Sequence, residues 1–221
     1  DVYKRQPNDV SNYEFGNISL ITKFLLTSSD ECALAAGLGI SFATADDLDV
    51  GMENGLPLVS IENESTHLIP YLAYLYTPRN SNCFLQSFVT FDFDTQGNDV
   101  RVADDNNQLR KVGVWQDQHL ANVSLSGGSW IYENYSRNSC LKRIAWSVEA
   151  HYTATLNDAD TIYSNDYVVG DPNSELSLVN GTVGGHVTLY QTTFTAGYSV
   201  PFDSIYRVFD GEFRFFVNRL F

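Results

Sequence analysis

The sequence predicts an all-β protein and, within that class, an antiparallel, up-and-down transmembrane β-barrel. Apolar and polar residues alternate along nine segments, no segment has a helical period, and short connections alternate with long ones. Because successive side chains of a strand point to opposite faces, each segment has one apolar and one polar face. A membrane-spanning barrel requires this arrangement, with lipid outside and a polar lumen inside.

Nine strands account for most of the chain. They are predicted at about residues 17–27, 32–44, 66–76, 83–94, 119–132, 141–156, 176–190, 193–200 and 211–221. The second strand sets Leu38 against Gly37 and Gly39, and small residues of this kind leave room on a curved or crowded inner face. The third strand carries Pro70 and is apolar on both faces, so it is the least regular of the nine.

The sixth strand alternates most regularly. One face holds Ile144, Trp146, Val148, Ala150, Tyr152, Ala154 and Leu156, and the other holds Arg143, Ser147, Glu149, His151, Thr153 and Thr155. The seventh strand sets Val183 and Val187 opposite His186, and the eighth repeats the pattern with Phe194 and Tyr198 on its apolar face. The last strand sets its aromatic residues opposite Glu212 and Arg214.

The connections also favour a membrane barrel. Short turns are predicted at 28–31, 77–82, 133–140 and 191–192, and longer loops at 45–65, 95–118, 157–175 and 201–210. Outer-membrane barrels have tight periplasmic turns and long external loops. Loops 45–65 and 157–175 hold eleven acidic residues and no Lys or Arg. We therefore expect the long loops to form an acidic external surface.

Composition excludes several classes of protein. The formal charge of −14 and the absence of a basic patch argue against nucleic-acid binding, which needs clustered Lys and Arg. No run of about 18 apolar residues predicts a transmembrane helix, whereas each strand of a barrel needs only about 9–11 residues. Cys32, Cys83 and Cys140 begin alternate strands, too far apart for disulfides, so we expect free thiols.

The first residues indicate a fragment of a longer protein. Residues 1–6 resemble a translated sequencing-adapter scar, so residues 7–221 are taken as one barrel domain. Single-chain bacterial barrels have an even number of strands. Nine visible strands therefore predict a barrel of ten or twelve, with the others lost upstream.

Polar and charged side chains on the inner faces are candidates for the lumen lining. They are Lys23, Asp92, Arg143, Glu149, His151, His186, Glu212 and Arg214. Such a lining selects solutes or forms a polar network inside the barrel, and solvation of the wet face explains the same residues without a transport role. Aromatic residues near strand ends suit interfacial girdles. These are Phe42, Tyr76, Phe93, Trp130, Tyr132, Tyr152 and Tyr190.

No catalytic, cofactor or metal site is predicted. The best nucleophile and base pair, Ser147 with His151, lies about 13 Å apart along one strand, which is too far for a hydrogen bond. The segment from Asp92 to Asn98 is similar to the first half of a calcium loop, but Ala103 stands where the closing Glu is needed. We expect a polar strand end that runs into a turn.

The final strand and the strand layout carry a resemblance to a known class of proteins. Phe213, Phe215, Val217 and Phe221 form an apolar face that ends on the last residue, and this resembles the C-terminal strand of bacterial outer-membrane β-barrel proteins. The resemblance implies that these four residues are a membrane-insertion signal for the barrel-assembly machinery. It also implies location in the bacterial outer membrane, contact with its lipid, and passive passage of small solutes. The layout of residues 17–221 is similar to uncharacterised barrels of the phenol-degradation-pathway and outer-membrane transporter type.

Two alternatives remain open at the level of the sequence. A secreted, soluble β-sandwich also has one apolar face per strand, and it would bind carbohydrate or protein through exposed loop aromatics. Those aromatics are Trp115, Tyr163, Tyr167 and Tyr206. A non-conducting structural barrel has the same lipid face as a channel, so the sequence does not separate the two.

Overall fold

All regular structure in the described residues is β-strand. The computed structural model describes residues 16–51, 57–164, 167–170, 175–202 and 210–219. The fifteen strands are β1 (Ile18–Ser28), β2 (Cys32–Phe42), β3 (Leu48–Gly51), β4 (Pro57–Ile61), β5 (His67–Tyr76), β6 (Cys83–Asp94), β7 (Asn98–Ala103), β8 (Leu109–Trp115), β9 (Leu120–Glu133), β10 (Leu141–Thr155), β11 (Ile162–Ser164), β12 (Tyr167–Val169), β13 (Ser177–Leu189), β14 (Thr192–Pro201) and β15 (Glu212–Arg219).

Nine of these strands form one large antiparallel sheet. Their order is β1-β2-β5-β6-β9-β10-β13-β14-β15, so each long strand pairs with the next long strand along the chain. These nine strands are the nine that the sequence predicts, and their bounds agree within two residues wherever both ends are described. The prediction of an all-β, up-and-down antiparallel sheet is therefore confirmed.

The sheet is open in the part of the chain that the structure describes. There β1 pairs only with β2, and β15 pairs only with β14. Since neighbouring strands run in opposite directions, β1 and β15, the first and last of nine, run parallel to each other. The described residues thus show a nine-stranded wall and no closed barrel.

Proline 70 leaves the third predicted strand intact. In the pairing of β5 with β6, Leu68 pairs with Phe93 and Tyr71 with Thr90, and no pair between them is formed. Pro70 has no N–H to give to the ladder, which explains the gap. On its other side β5 pairs with β2 without interruption. The strand is confirmed despite its irregular pattern.

The short connections lie together at one end of the large sheet. Side-chain and backbone bonds close them: Ser29 Oγ accepts from the Cys32 N–H at 3.1 Å, and the Thr77 N–H donates to the Glu31 carbonyl at 2.6 Å. The second bond joins two successive turns. All three cysteines lie at this end, and they are free, as predicted.

The long connections contain six further strands, which the sequence interpretation missed. β3, β4, β7 and β8 form a second, four-stranded antiparallel sheet, and β11 pairs with β12. The expectation of plain loops was wrong because these strands are short and rich in charge. Val100 and Val102 alternate with Asp99 and Arg101 over only six residues, too short a pattern to stand out.

Strands β3, β4, β7, β8, β11 and β12 of these connections form one packed unit outside the nine-stranded sheet, here named the external unit. Ile61 pairs with Val100, and Val100 with Gly113, so the three residues share one face of the four-stranded sheet. A Cβ built on Gly113 would lie 3.1 Å from the side chain of Ile162, which places β11 against that face. Val100 is fully buried as a result.

Two ion pairs neutralise acids of the long connections, one between two connections and one within a connection. Arg101 Nε lies 2.7 Å from Glu62 Oε1, and Lys111 Nζ lies 2.6 Å from Asp99 Oδ1. Loop 45–65 holds no basic residue, so Glu62 finds its cation on β7. In the turn between β7 and β8, Asp104 accepts hydrogen bonds from the Gln108 and Asn106 N–H groups, and these lower its pKa.

The large hydrophobic side chains of the described residues lie mostly on the surface. Among the described residues only five hydrophobic residues are buried, whereas forty-one large hydrophobic side chains are exposed. The buried hydrophobic residues are Ala35, Phe84, Val100, Val102 and Ala145, and the buried polar residues are Ser60, Ser65, Asp94, Ser147 and Ser199. Within the described ranges, no helix has the length and apolar character needed to cross a membrane.

Candidate functional site

The candidate site is the polar face of the nine-stranded sheet. Cross-strand partners share a face, so the registers show which residues lie together. One row of partners is Lys23, Gly37, Tyr71, Thr90, Asn122 and Thr153. A second row is Ser124, His151 and Asn180, and a third is Ser126, Glu149, Thr182, Ser199 and Glu212. The structure thus places all eight candidate lining residues on one face.

Ser147 and His186 pair across two strands at the centre of this face. Ser147 Oγ lies 2.9 Å from His186 Nε2, and His186 Nδ1 lies 2.9 Å from Thr195 Oγ1. Ser147 Oγ also donates to Glu149 Oε1 at 3.3 Å. Both nitrogens of the His186 imidazole therefore have hydrogen-bond partners. Ser147 is almost completely buried, with 1% of its surface exposed.

A second histidine extends the hydrogen-bonded chain along the same face. His151 Nδ1 lies 2.9 Å from Ser124 Oγ, and its Nε2 lies 3.4 Å from Glu149 Oε2, without the alignment of a hydrogen bond. Glu149 thus lies between the two histidines. The sequence had offered Ser147 with His151, but each of these residues finds its partner on a neighbouring strand. Only the strand register could have revealed that.

Other candidate residues form local ion pairs. His67 Nδ1 lies 2.8 Å from Asp92 Oδ1 across β5 and β6. Arg214 donates to Glu212 Oε2 through Nη2 at 2.8 Å and Nε at 3.1 Å, as their shared face had suggested. The pair of Arg214 with Glu212 lowers the net charge that these two groups present to the polar face.

Two aromatic rings lie on glycines of the polar face. A Cβ on Gly128 would collide with the Phe84 ring and the Trp146 carbonyl, and a Cβ on Gly37 would collide with the Tyr71 ring. The absence of a side chain is thus what lets each ring lie flat against the neighbouring strand. The expectation that small residues of the second strand leave room on this face is met at Gly37.

Cavities open along the polar face. One cavity, of about 460 Å³, lies near the short turns, and its walls include Phe84, Trp130, Tyr135, Arg143 and Glu149. A second cavity, of about 440 Å³, is lined by polar-face residues of β1, β2, β5 and β6, among them Lys23 and Tyr71. The polar face therefore has the concave, partly enclosed surface on which small molecules bind.

Trp130 lies on the polar face, which corrects its assignment to an outward girdle. Trp130 pairs with Ala145 in the same register as Gly128 with Ser147, so alternation along β9 already places it on the polar face. The register shifts only beyond Trp130, where Tyr132 pairs with Ile144. A bulge of this kind reverses the facing of the residues beyond it. The Trp130 ring lies 5.4 Å from the Phe84 ring, inside the cavity.

The segment that resembled half a calcium loop is a turn held by a buried carboxylate. Asp94 accepts hydrogen bonds from Ser65 Oγ and from the N–H groups of Gln96, Gly97 and Asp117. Gly97 has a φ of +71°, a conformation that glycine adopts without strain. The oxygens of Asp94 are thus occupied by the chain itself.

Three acids in the external unit come close together. Carboxylate oxygens of Glu62, Glu64 and Asp99 lie within 4.8 Å of one another. Two of them already have cations, because Glu62 pairs with Arg101 and Asp99 with Lys111. Neutralisation by these side chains accounts for the cluster.

Three of the four residues of the predicted insertion signal form an outward apolar face. Phe213, Phe215 and Val217 pair with Tyr198, Ala196 and Phe194 on the apolar side of β14. Phe213 is 70% exposed, the highest value of the three. Phe221 lies outside the described residues.

Comparison with known proteins adds no family to this geometry. No protein-family model matches the chain, and no curated protein matches it.

Proposed function

We propose that this chain is a bacterial outer-membrane β-barrel that lets small solutes pass without energy input. In this proposal the nine-stranded sheet is the barrel wall, its apolar face contacts lipid, and its polar face lines the lumen. The long connections and their external unit lie outside the cell. The resemblance to barrels of the phenol-degradation-pathway type stays a prediction, because it rests on the strand layout and the final strand.

The proposal rests on β10, whose apolar side chains are exposed while a polar side chain on its other face is buried. Val148 is 52% exposed and Trp146 is 45% exposed, while Ser147 between them is buried. Fully burying a Val- or Leu-sized side chain is worth about 1.5–3 kcal/mol, so dozens of exposed apolar side chains would be costly in water. A bilayer supplies the apolar surroundings that this face lacks within the chain.

The same observation weighs against the secreted β-sandwich. A sandwich buries the apolar faces of two sheets against each other, about 10 Å apart. The apolar face of the nine-stranded sheet has no second layer over it among the described residues, and the four-stranded sheet packs with β11 instead. The exposed face therefore favours lipid as its partner.

An even-numbered barrel would need at least one more strand between β1 and β15. These two edges run parallel, and a strand between them would pair antiparallel with both. Closure would also cover the exposed edge of β1, whose residues are all exposed. The proposal thus predicts a further strand from outside the described residues.

The first experiment is refolding from urea with and without detergent micelles. We expect β-type circular dichroism and a heat-sensitive compact band on a gel only when micelles are present. Folding to a soluble monomer in plain buffer would contradict the membrane proposal and favour the sandwich.

Conductance in planar bilayers then separates a channel from a structural barrel. The folded protein is expected to give discrete current steps. A stable barrel that inserts but carries no current would identify the non-conducting alternative.

A further inference from the structure

The cavity at the short-turn end of the polar face combines aromatic walls with two cationic side chains, which a sheet does not need in order to fold. It measures about 460 Å³, which is within the range of small-molecule sites. Rings of Phe84, Trp130 and Tyr135 form its apolar walls, and Lys142 and Arg143 add two cations. Apolar walls with a few convergent charges are the usual composition of a ligand site.

Aromatic rings hold the Arg143 guanidinium in place. Its central carbon lies 5.3 Å from the centre of the Trp130 ring and 5.6 Å from that of Tyr135. Tyr135 in turn donates to Glu133 at 2.9 Å, and this hydrogen bond raises the pKa of Tyr135, so the ring stays neutral. Contact through the face of a guanidinium fixes its plane and leaves donors at its edge.

The ion pair of Arg143 with Glu133 leaves hydrogen-bond donors of the guanidinium available. Arg143 Nε lies 3.5 Å from Glu133 Oε1. A bidentate pair between a guanidinium and a carboxylate brings N and O to about 2.7–2.9 Å through two parallel bonds. Arg143 therefore has capacity for a second carboxylate, and its side chain is 44% exposed.

Lys142 provides a second donor at the rim of the same cavity. Its Nζ donates to the carbonyl oxygens of Ser136 and Arg137. An ammonium group has three donors, so one remains for a ligand. The bonds to the turn fix the position of the ammonium group, which reduces the entropy lost when a ligand binds.

Basic residues are concentrated at this end of the molecule. Lys142, Tyr190 and Gln191 also line an adjoining cavity of about 500 Å³, whose other residues include Arg137 and Arg219. Four basic side chains thus line two neighbouring cavities in a chain with a formal charge of −14. A local positive field in an acidic protein favours an anionic ligand.

The geometry points to a binding site here for a small organic monocarboxylate with an apolar body. The carboxylate would bind Arg143 and Lys142, and the apolar body would contact Phe84 and Trp130. This inference rests on the proposed function and deepens it, because it places a solute site at the mouth of the lumen beside the short turns. Glu149 also lines the cavity and disfavours a second negative charge on the ligand.

Calorimetric titration of the refolded protein tests the inference, with cyclohexanecarboxylate as the probe and cyclohexanecarboxamide as its neutral isostere. We expect the acid to bind and the amide to bind about tenfold more weakly or not at all, because charge-assisted hydrogen bonds are lost. Blank titrations into empty micelles remove the heat of partitioning. Equal binding of the two probes would overturn the inference, and so would no binding of the acid.

Variants locate the site. Arg143→Gln is expected to weaken binding of the acid about tenfold, and Lys142→Gln serves the same purpose if Arg143→Gln does not refold. Arg79→Gln is the matched control, since Arg79 lies at the same end but pairs with Asp30. Unchanged affinity in the folded Arg143 or Lys142 variant would contradict the assignment. The compact band reports folding separately, and a chain that folds only in buffer is titrated in buffer, so failure of the barrel proposal is distinguishable.

Discussion

At the scale of single residues, the two faces of a strand impose opposite requirements. On β10, Val148 points to the apolar side and is half exposed, while Ser147 is enclosed and bonded to His186. In a bilayer the first position excludes charge and the second requires a small hydrogen-bonding side chain. Neighbouring residues therefore tolerate very different substitutions.

Substitution of Val148 by Arg tests the lipid face. We expect Val148→Arg to lower the free energy of unfolding in lipid vesicles by about 2–4 kcal/mol, the cost of a cation at the bilayer midplane. Gln86→Arg is the control, because Gln86 is exposed and lines the cavity on the polar face. Reversible urea titration in vesicles measures both. An equal loss in the two variants would contradict the face assignment.

Two adjacent glycines of β9 provide a matched pair of variants that tests how tightly the polar face is packed. A Cβ on Gly128 would meet the Phe84 ring and a backbone carbonyl, whereas a Cβ on Gly127 has nothing within 4 Å. We expect Gly128→Ala to cost about 1–3 kcal/mol through overpacking, and Gly127→Ala to be neutral or stabilising by up to about 1 kcal/mol. Denaturant titration measures both, and similar values would argue against the ring's position.

At the scale of elements, one buried carboxylate joins the wall to the external unit. Asp94 ends β6, and its oxygens accept from Ser65 before β5 and from Asp117 before β9. It also accepts from Gln96 and Gly97, which lead into β7. Three ends of two long connections therefore share one anchor.

Removal of this anchor should loosen the external unit selectively. Asp94→Ala leaves buried N–H groups without acceptors, each costing about 1–3 kcal/mol. We expect faster amide hydrogen exchange in β7 and β8 than in the wild type, with β10 unchanged. Asp105→Ala, at an exposed turn position, is the control. Uniform acceleration in all strands would show that Asp94 supports the whole fold instead.

At the scale of the whole molecule, the wall and the external unit are stabilised by separate sets of interactions. The wall is held by a continuous antiparallel ladder of nine strands, whereas the external unit has its own sheet and its own buried valines. The two are also chemically distinct. The external connections are acidic, and the short-turn end is where basic side chains gather.

The wall should therefore fold without the external unit. We expect a chain in which short Gly-Asn turns replace the parts of the long connections that carry β3, β4, β7, β8, β11 and β12 to keep its heat-sensitive compact band in detergent. The six short strands pair only among themselves and add no strand to the nine-stranded ladder. Deletion of the hairpin β13–β14 is the contrasting variant and should abolish the band. Loss of the band in both variants would contradict independent folding.

The sequence by itself determined the nine wall strands, their faces and the alternation of short and long connections. These follow from a pattern of period two, which is local and therefore readable from neighbouring residues. Even Pro70 did not obscure its strand, because the apolar positions on either side continued the pattern.

Only the tertiary structure decided which side chains meet. Ser147 pairs with His186 because of the register between β10 and β13, and Tyr132 pairs with Ile144 because of a bulge between β9 and β10. Contacts such as Ile162 against Gly113 join segments almost fifty residues apart. Registers, bulges and packing between distant segments depend on interactions across strands, and no local periodicity encodes them.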